Sequence, residues 1–207
     1  MDEAAGDHYF TAQPASPAER REITVWLAER EVTVETAGGV FSSFRLDQGT
    51  RALLASVPAP PPSGDLLDLG CGWGPIALTL ALRSPHARVW AVDVNERALD
   101  LVRRNAERLG LDNITAVTPD EVPDDVMLAA IWSNPPIRVG KEALHAMLLH
   151  WLPRLVPGMS AHLVVQRNLG ADSLQAWLAD QLGAAATVTR SASVKGFRVL
   201  RVEASSA

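Results

Sequence analysis

The chain has one cysteine, Cys71, among 207 residues, so no disulfide can close within it, and a reducing, cytoplasmic setting is expected. It has no apolar run approaching the about 20 residues that a helix needs to span a bilayer. The stretch from Pro75 to Leu82 is among the longest. The opening residues, Met1-Asp2-Glu3-Ala4-Ala5-Gly6-Asp7, are acidic and carry no apolar core, so no secretion signal is expected. Nor is there an excess of positive charge: 24 acidic against 19 basic residues leave a net −5. That excludes a protein that grips nucleic acid by bulk electrostatics, and leaves a local patch or a folded ribonucleoprotein surface as the means of any such contact. His8, His145 and His150 lack the spacing of a metal site, so no metal is expected. There is no internal repeat. With 47% hydrophobic and 21% charged residues, the composition is that of a globular domain with a short N-terminal extension.

What the chain does have is concentrated in three places. Leu66-Leu67-Asp68-Leu69 runs into Gly70-Cys71-Gly72-Trp73-Gly74, and Pro75 then opens an apolar helical stretch. Alternate glycines between a strand and a helix allow a sharp turn and a close approach of backbone to ligand. Pro75 suits the first helical turn, where its missing N–H leaves nothing unpaired. The second place is Ala87-Arg88-Val89-Trp90-Ala91-Val92-Asp93, a strand ending in a carboxylate at the spacing that meets a ribose diol. The third is Ile131-Trp132-Ser133-Asn134-Pro135-Pro136, a motif that hydride transfer does not need. Together these describe an enzyme with a nucleoside cofactor. Cys71 reads as a small residue in a tight turn, since no histidine is near it in sequence to activate a nucleophile.

From Asp65 onward strand-like and helix-like segments alternate, which predicts an α/β fold: a mostly parallel sheet with helices on both faces. Strands are expected at Leu66–Leu69, Ala87–Val92, Ile114–Val117, Ala129–Ser133 and Ser160–Gln166, and helices at Pro75–Arg83, from Asn95 as N-cap to Gly110 as stop, at Glu142–Leu152 and at Ser173–Leu182. Thr187–Ser191 and Phe197–Val202 are too close for a crossover helix and should form an antiparallel hairpin. A seven-stranded, Rossmann-like sheet finished in that way distinguishes a class I methyltransferase from a nicotinamide dehydrogenase, and makes S-adenosylmethionine the expected cofactor. Residues 1–60 read as an extension packing on a catalytic domain at 61–207. Short strands are expected there at Ile23–Leu27, Val32–Glu35 and Val40–Ser43, with a helix start at Asp47-Gln48-Gly49-Thr50 leading into Arg51–Val57 and a stiff linker at Ala59–Gly64.

Each motif has its expected chemistry. The methionine end of the cofactor carries an ammonium and a carboxylate, so Asp68, Gly70, Cys71, Gly72 and Gly74 should surround it, with the helix start facing the carboxylate. Asp93 should accept from the ribose hydroxyls. Asp120 is placed to meet the adenine amine, in competition with Glu121, Asp124 and Asp125. In Asn134-Pro135-Pro136 two prolines stiffen the backbone, so that the Asn134 amide oxygen and the Pro135 carbonyl can converge on one planar amine. Two acceptors align such an amine for methylation without a strong base, and the catalysis is alignment and electrostatic fit. Arg138 and Lys141 serve either substrate phosphates or the solvation of a helix start.

These residues resemble the small-domain class I methyltransferases related to the 16S ribosomal RNA guanine-N2 methyltransferase, and most nearly the single-domain bacterial branch. The resemblance runs from His8-Tyr9-Phe10 through Gly39-Val40-Phe41-Ser42, Asp47-x-Gly49-Thr50, Asp68-x-Gly70-Cys71-Gly72-x-Gly74-Pro75-Ile76 and Asp93-Val94-Asn95 to Asn134-Pro135-Pro136-Ile137-Arg138-x-Gly140-Lys141, Gly170-Ala171-x-Ser173-Leu174 and Lys195-Gly196-Phe197. It implies a sheet with a reversed seventh strand, S-adenosylmethionine as donor and S-adenosylhomocysteine as product. It further implies a guanine amine of 16S ribosomal RNA as acceptor, with ribosomal RNA or the small subunit as partner and no membrane. Two-domain relatives place an aromatic residue after Asn-Pro-Pro, and carry an extra N-terminal domain where this chain has a short leader. Here Ile137 offers an aliphatic face, so stacking on the base falls to Phe10, Tyr9 or Phe197. A base within a paired segment would have to be extruded, at about a few kcal/mol. Other planar amines, in adenine, a small molecule or a protein amide, fit the same turn, and a non-catalytic assembly factor on the same fold is the contrasting reading.

Overall fold

The computed structural model describes residues 19–206, apart from the side chain of Arg138. His8, Tyr9 and Phe10 lie outside the described residues. The chain opens with an antiparallel ribbon, β1 (Arg20–Leu27) and β2 (Arg30–Ala37), paired in unbroken register from Arg20 opposite Ala37 to Leu27 opposite Arg30. A short helix α1 (Gln48–Leu54) follows. Then come β3 (Ser63–Leu69), α2 (Pro75–Arg83), β4 (His86–Val92), α3 (Glu96–Leu109), β5 (Ile114–Val117), β6 (Leu128–Ser133), α4 (Lys141–Trp151), β7 (Leu155–Gln166), α5 (Ala171–Leu182), β8 (Ala186–Val194) and β9 (Phe197–Ala204).

Seven of these strands form one sheet in the order β5-β4-β3-β6-β7-β9-β8. All neighbouring pairs from β5 to β7 are parallel, and β9 runs antiparallel to both β7 and β8. The terminal hairpin and the reversed strand are therefore where the sequence places them. β3 is central. The chain winds from it to β4 and β5 on one side, then crosses back to β6 and β7 on the other, which leaves a crevice at the carboxyl ends of β3 and β6.

Alternation along β3 feeds both faces. Leu67 and Leu69 join the layer under α4 and α5 with Trp90, Leu148 and Trp151. Leu66 joins the layer under α2 and α3 with Ala77, Val102 and Trp132. A third apolar cluster fastens the ribbon to the helices: Val25, Leu27, Val32 and Val34 pack with Trp73, Leu78 and Leu101. Buried Asn105 of α3 completes that seam, accepting from the Glu35 N–H at 2.7 Å and donating to the carbonyls of Glu35 and Trp73, each at 3.0 Å. No helix among the described residues is long and apolar enough to cross a membrane.

The main differences from expectation fall before residue 65. Val40–Ser43 is a run of bends and turns, not a strand. Its chain is bound end-on to α3 instead, through the Asn95 amide to the Gly39 carbonyl at 2.9 Å and the Arg97 guanidinium to the Gly38 carbonyl at 2.7 Å. The helix begins at Gln48 and is over at Leu54, three residues short of Val57, and Pro58 keeps Val57 itself out of helical backbone. Ser63 and Gly64 belong to β3, so the stiff linker ends at Pro62. β7 also begins earlier than Ser160, at Leu155, with a register shift opposite β6 that accommodates Pro157 and Gly158.

Candidate active site

The crevice is built from the glycine turn upward. The N–H groups of Gly70 and Cys71 both donate to the Val92 carbonyl, at 2.8 and 3.0 Å, which anchors the turn to the end of β4. All three glycines have positive φ, at 76°, 55° and 94° for Gly70, Gly72 and Gly74, a region hostile to side chains. They serve different ends. A Cβ on Gly74 would stand 3.0 Å from Val102, so this glycine lets α2 and α3 approach. A Cβ on Gly70 would meet only Pro136 at 3.7 Å, and one on Gly72 only the Phe41 carbonyl at 4.0 Å. Those two therefore line an open slot. It is a cleft whose lining includes Phe41, Ser42, Asp47, Thr50 and Asn134 together with Gly70 to Trp73.

Asp93 receives the Gly72 N–H on one oxygen and the Asn95 N–H on the other, both at 2.9 Å. It thus ties the turn to the start of α3, where Asn95 is the N-cap. Burial pushes its carboxyl upward against those hydrogen bonds. Asp68 lies under the turn and not in the lining of the cleft. It is fully buried, with Oδ2 accepting the Ala77 N–H of α2 at 2.8 Å and Oδ1 unpartnered. Burial, reinforced by the charge of Asp93, pushes its carboxyl up to about 8. Cys71 is buried and its thiol is pushed well above the usual range, chiefly by desolvation, so it is no nucleophile. Asp120 stands exposed on a single 3-10 turn after β5.

Opposite the turn, the end of β6 is locked to β3 by the Ser133 hydroxyl, which donates to the Leu69 carbonyl at 2.6 Å. The next residue holds the most informative contact. Asn134 Nδ2 donates to Asp47 Oδ2 at 2.9 Å and to Thr50 Oγ1 at 3.1 Å. A carboxylate only accepts, so the amide nitrogen must face Asp47 and the orientation of the amide is decided. Oδ1 is left as the free acceptor, with no hydrogen-bond partner among the described residues. Asp47 is also the N-cap of α1, its Oδ2 accepting from Gly49 and Thr50 at 2.7 and 3.0 Å. Gly49 is needed in this knot, since a Cβ there would lie 2.9 Å from Asp47 Oδ2 and 3.1 Å from the Phe197 ring.

The two prolines do make a rigid turn. Pro136, at φ −75° and ψ 77°, is the centre of an inverse γ-turn closed by the Ile137 N–H on the Pro135 carbonyl at 2.8 Å. One lone pair of that carbonyl is thus used inside the turn and one remains. Ile137 is half-buried and packs against the main core. Lys141 is exposed at the start of α4, and Phe10 falls outside the described residues. Asp47 and Thr50 are the participants that sequence reasoning missed. Asp47-x-Gly49-Thr50 was visible as a helix start, and nothing in a separation of 87 residues signals its bond to Asn134.

A glycine turn at the switch point of a parallel sheet, a reversed seventh strand and an oriented Asn-Pro-Pro turn define a class I methyltransferase domain, a fold whose methyl donor is S-adenosylmethionine. The chain belongs to the methyltransferase small domain family, whose model matches residues 31–201. It is 34% identical over 170 residues to the uncharacterised protein YbxB of Bacillus subtilis, covering 81% of this chain and 85% of that one. It is 36% identical over 164 residues to ribosomal RNA small subunit methyltransferase C of Pseudomonas aeruginosa. There the match takes in 76% of this chain and 48% of the relative, so the chain spans about half of that protein. The structure of the T. thermophilus 16S rRNA N2 methyltransferase RsmC, in complex with AdoMet and guanosine, superposes with a TM-score of 0.77 at 23% identity, over 91% of this chain and 51% of that one. This last likeness is one of fold.

Proposed function

We propose that the chain transfers a methyl group from S-adenosylmethionine to the exocyclic amine of an RNA base, with guanine N2 of 16S ribosomal RNA as the acceptor. The family, the names of the relatives and the open slot over Gly70 and Gly72 support the donor and the RNA. The observation that carries the acceptor chemistry is the orientation of Asn134. With its NH2 held by Asp47 and Thr50, the amide offers only its oxygen, and a planar amine is what an oxygen acceptor selects.

The residues fit the donor. The backbone of Gly70, Cys71 and Gly72 and the start of α2 suit a carboxylate, while Asp68, buried beneath the turn, fixes that turn to α2 through the Ala77 N–H. Asp93 retains lone pairs for ribose hydroxyls beside the N–H groups it accepts, and Asp120, exposed on the turn after β5, is assigned to adenine. When bound, the donor supplies an electrophilic methyl carbon on a sulfonium centre and leaves as S-adenosylhomocysteine. The protein's part is to hold the amine. Asn134 Oδ1 and the remaining lone pair of the Pro135 carbonyl accept its two N–H groups, leaving the nitrogen lone pair to face the donor. Pro136 holds the turn in shape. Ile137, Arg138 and Lys141 follow directly on the substrate side. Residues 61–207 form the catalytic unit in this reading, and the described part of the extension, residues 19–60, packs on it.

The test is labelled methyl transfer from the donor to small ribosomal subunits prepared from cells that lack the gene. Label in RNA is expected, at a single guanine. Asn134→Ala should lose at least a hundredfold in rate while S-adenosylhomocysteine binding, read by calorimetry, stays within a few-fold. Label found only on protein would overturn the acceptor.

A further inference from the structure

Among the described residues the ribbon leaves one side of β1 unpaired. There β1 bonds only to β2, so its other edge presents free backbone groups among those residues, and beside that edge runs a second groove. Two large aromatic side chains stand out at its walls, Trp26 at 67% exposure and Phe44 at 70%, in a chain whose aromatic content is only 5%. Exposed apolar rings grouped in this way mark an interaction surface. The charge of the groove is the opposite of the molecule's. The net charge is −5, yet the described lining contains Arg45 and Arg51 and no carboxylate. Nearby Arg20, Arg83 and Arg108 are each engaged in an ion pair, whereas Arg45 and Arg51 have none among the described residues. A further arginine, Arg21, lies 4.4 Å over the Phe44 ring and braces it.

One segment of chain lines both the catalytic cleft and the groove. Phe41, Ser42, Asp47 and Thr50 line the cleft, and Phe44, Arg45 and Arg51 line the groove. Flat aromatic faces beside unpaired guanidinium groups are what an unstacked nucleotide strand needs, since every base has a π face and every linkage an anion. We infer that this groove holds the single-stranded RNA flanking the target nucleotide, with Trp26 and Phe44 against bases and Arg45 and Arg51 against phosphates. This rests on the reading of RNA as the acceptor. It also answers how an acidic protein grips RNA: by one local inversion of charge, not by its overall field.

The experiment pairs binding with turnover. Binding of a fluorescent poly(U) oligoribonucleotide is measured by anisotropy over a salt series, and methyl transfer to small-subunit RNA is measured in parallel. Trp26→Ala and the double variant Arg45→Ala/Arg51→Ala should weaken oligonucleotide binding about tenfold or more, with Trp26→Phe restoring most of it. The double variant should also flatten the salt slope of log Kd by about 1.4. For the RNA substrate, KM should rise while kcat and S-adenosylhomocysteine affinity hold, and unchanged melting temperatures exclude misfolding. Ultraviolet crosslinks mapped to Trp26 or Phe44 should carry nucleotide. If the wild type methylates RNA but the variants bind and turn over like it, the groove assignment fails while the acceptor reading stands. A wild type that binds the oligonucleotide through these residues yet methylates no RNA sinks the acceptor reading, and with it the claim that the bound strand flanks a target, leaving an RNA-binding groove alone. Crosslinks joining the groove to protein, or no RNA binding by the wild type, overturn the assignment.

Discussion

At the scale of single residues, the site depends on what orients Asn134. Asp47 Oδ2 takes three donors at once, two from the first turn of α1 and one from the Asn134 amide. Asp47→Ala should therefore lower kcat by tenfold to a hundredfold with little change in donor affinity. Its cost in stability should be the about 1 kcal/mol of a lost N-cap, read by urea denaturation. Two buried titrating groups set the response to pH. Asp68 rises from 3.8 to about 8 through burial, so it stays protonated in the fold where the unfolded chain ionises. Its stability contribution is full below pH 4 and is lost as pH climbs towards 8. Asp68→Asn should stabilise the protein more at pH 8 than at pH 5, checked by thermal melts at the two pH values. His162 is the opposite case: burial, with the charge of Arg201 second, lowers it from 6.5 to about 4. Between those values the unfolded chain binds the extra proton, so the fold loses roughly 2–3 kcal/mol as pH falls from 6.5 to 4. His162→Gln should flatten that limb of the stability profile.

At the scale of elements, those after residue 65 are legible because each carries its own stop signals. Asn95 accepts from Arg97 and Ala98 as a cap should, Gly110 ends α3 at φ 65°, and Pro75 opens α2. The ribbon is less legible. Its turn is Ala28-Glu29, both at positive φ of 47° and 61°, where asparagine or glycine is the usual signal. Tertiary contacts hold it: Leu27 packs under α2 and α3, and Glu29 pairs with Arg83 at the end of α2. Ala28→Asn should stabilise the hairpin by about 0.5–1 kcal/mol, measured by chemical denaturation, since Asn tolerates that backbone better. Conversely, Asn105→Ala strips the buried seam between ribbon, α3 and glycine turn, leaving the Glu35 N–H and two carbonyls unpaired. A loss of about 2–3 kcal/mol is expected in the same assay. Val40–Ser43 shows why short apolar stretches mislead: β-forming residues there have no neighbouring strand to pair with, and capture of the Gly38 and Gly39 carbonyls by α3 decides the conformation.

At the scale of the whole molecule, donor binding should couple to folding. S-adenosylhomocysteine at a hundredfold over its Kd should add about 2.7 kcal/mol of stability to the wild type and much less to Asp93→Ala, read as a shift in melting temperature. The alternation of strands and helices, the glycine turn, the strand-end carboxylate and the closing hairpin are periodic or local patterns, and local patterns are written in sequence. They determine the layered α/β fold and where its crevice opens. What only the tertiary structure decided are relations between distant segments: Asp47 reaching Asn134 across 87 residues, Asp68 sealed beneath the turn, and a ribbon whose free edge meets an arginine-bearing loop. Such contacts depend on packing three-dimensional surfaces together, and neither spacing nor composition encodes which surfaces meet.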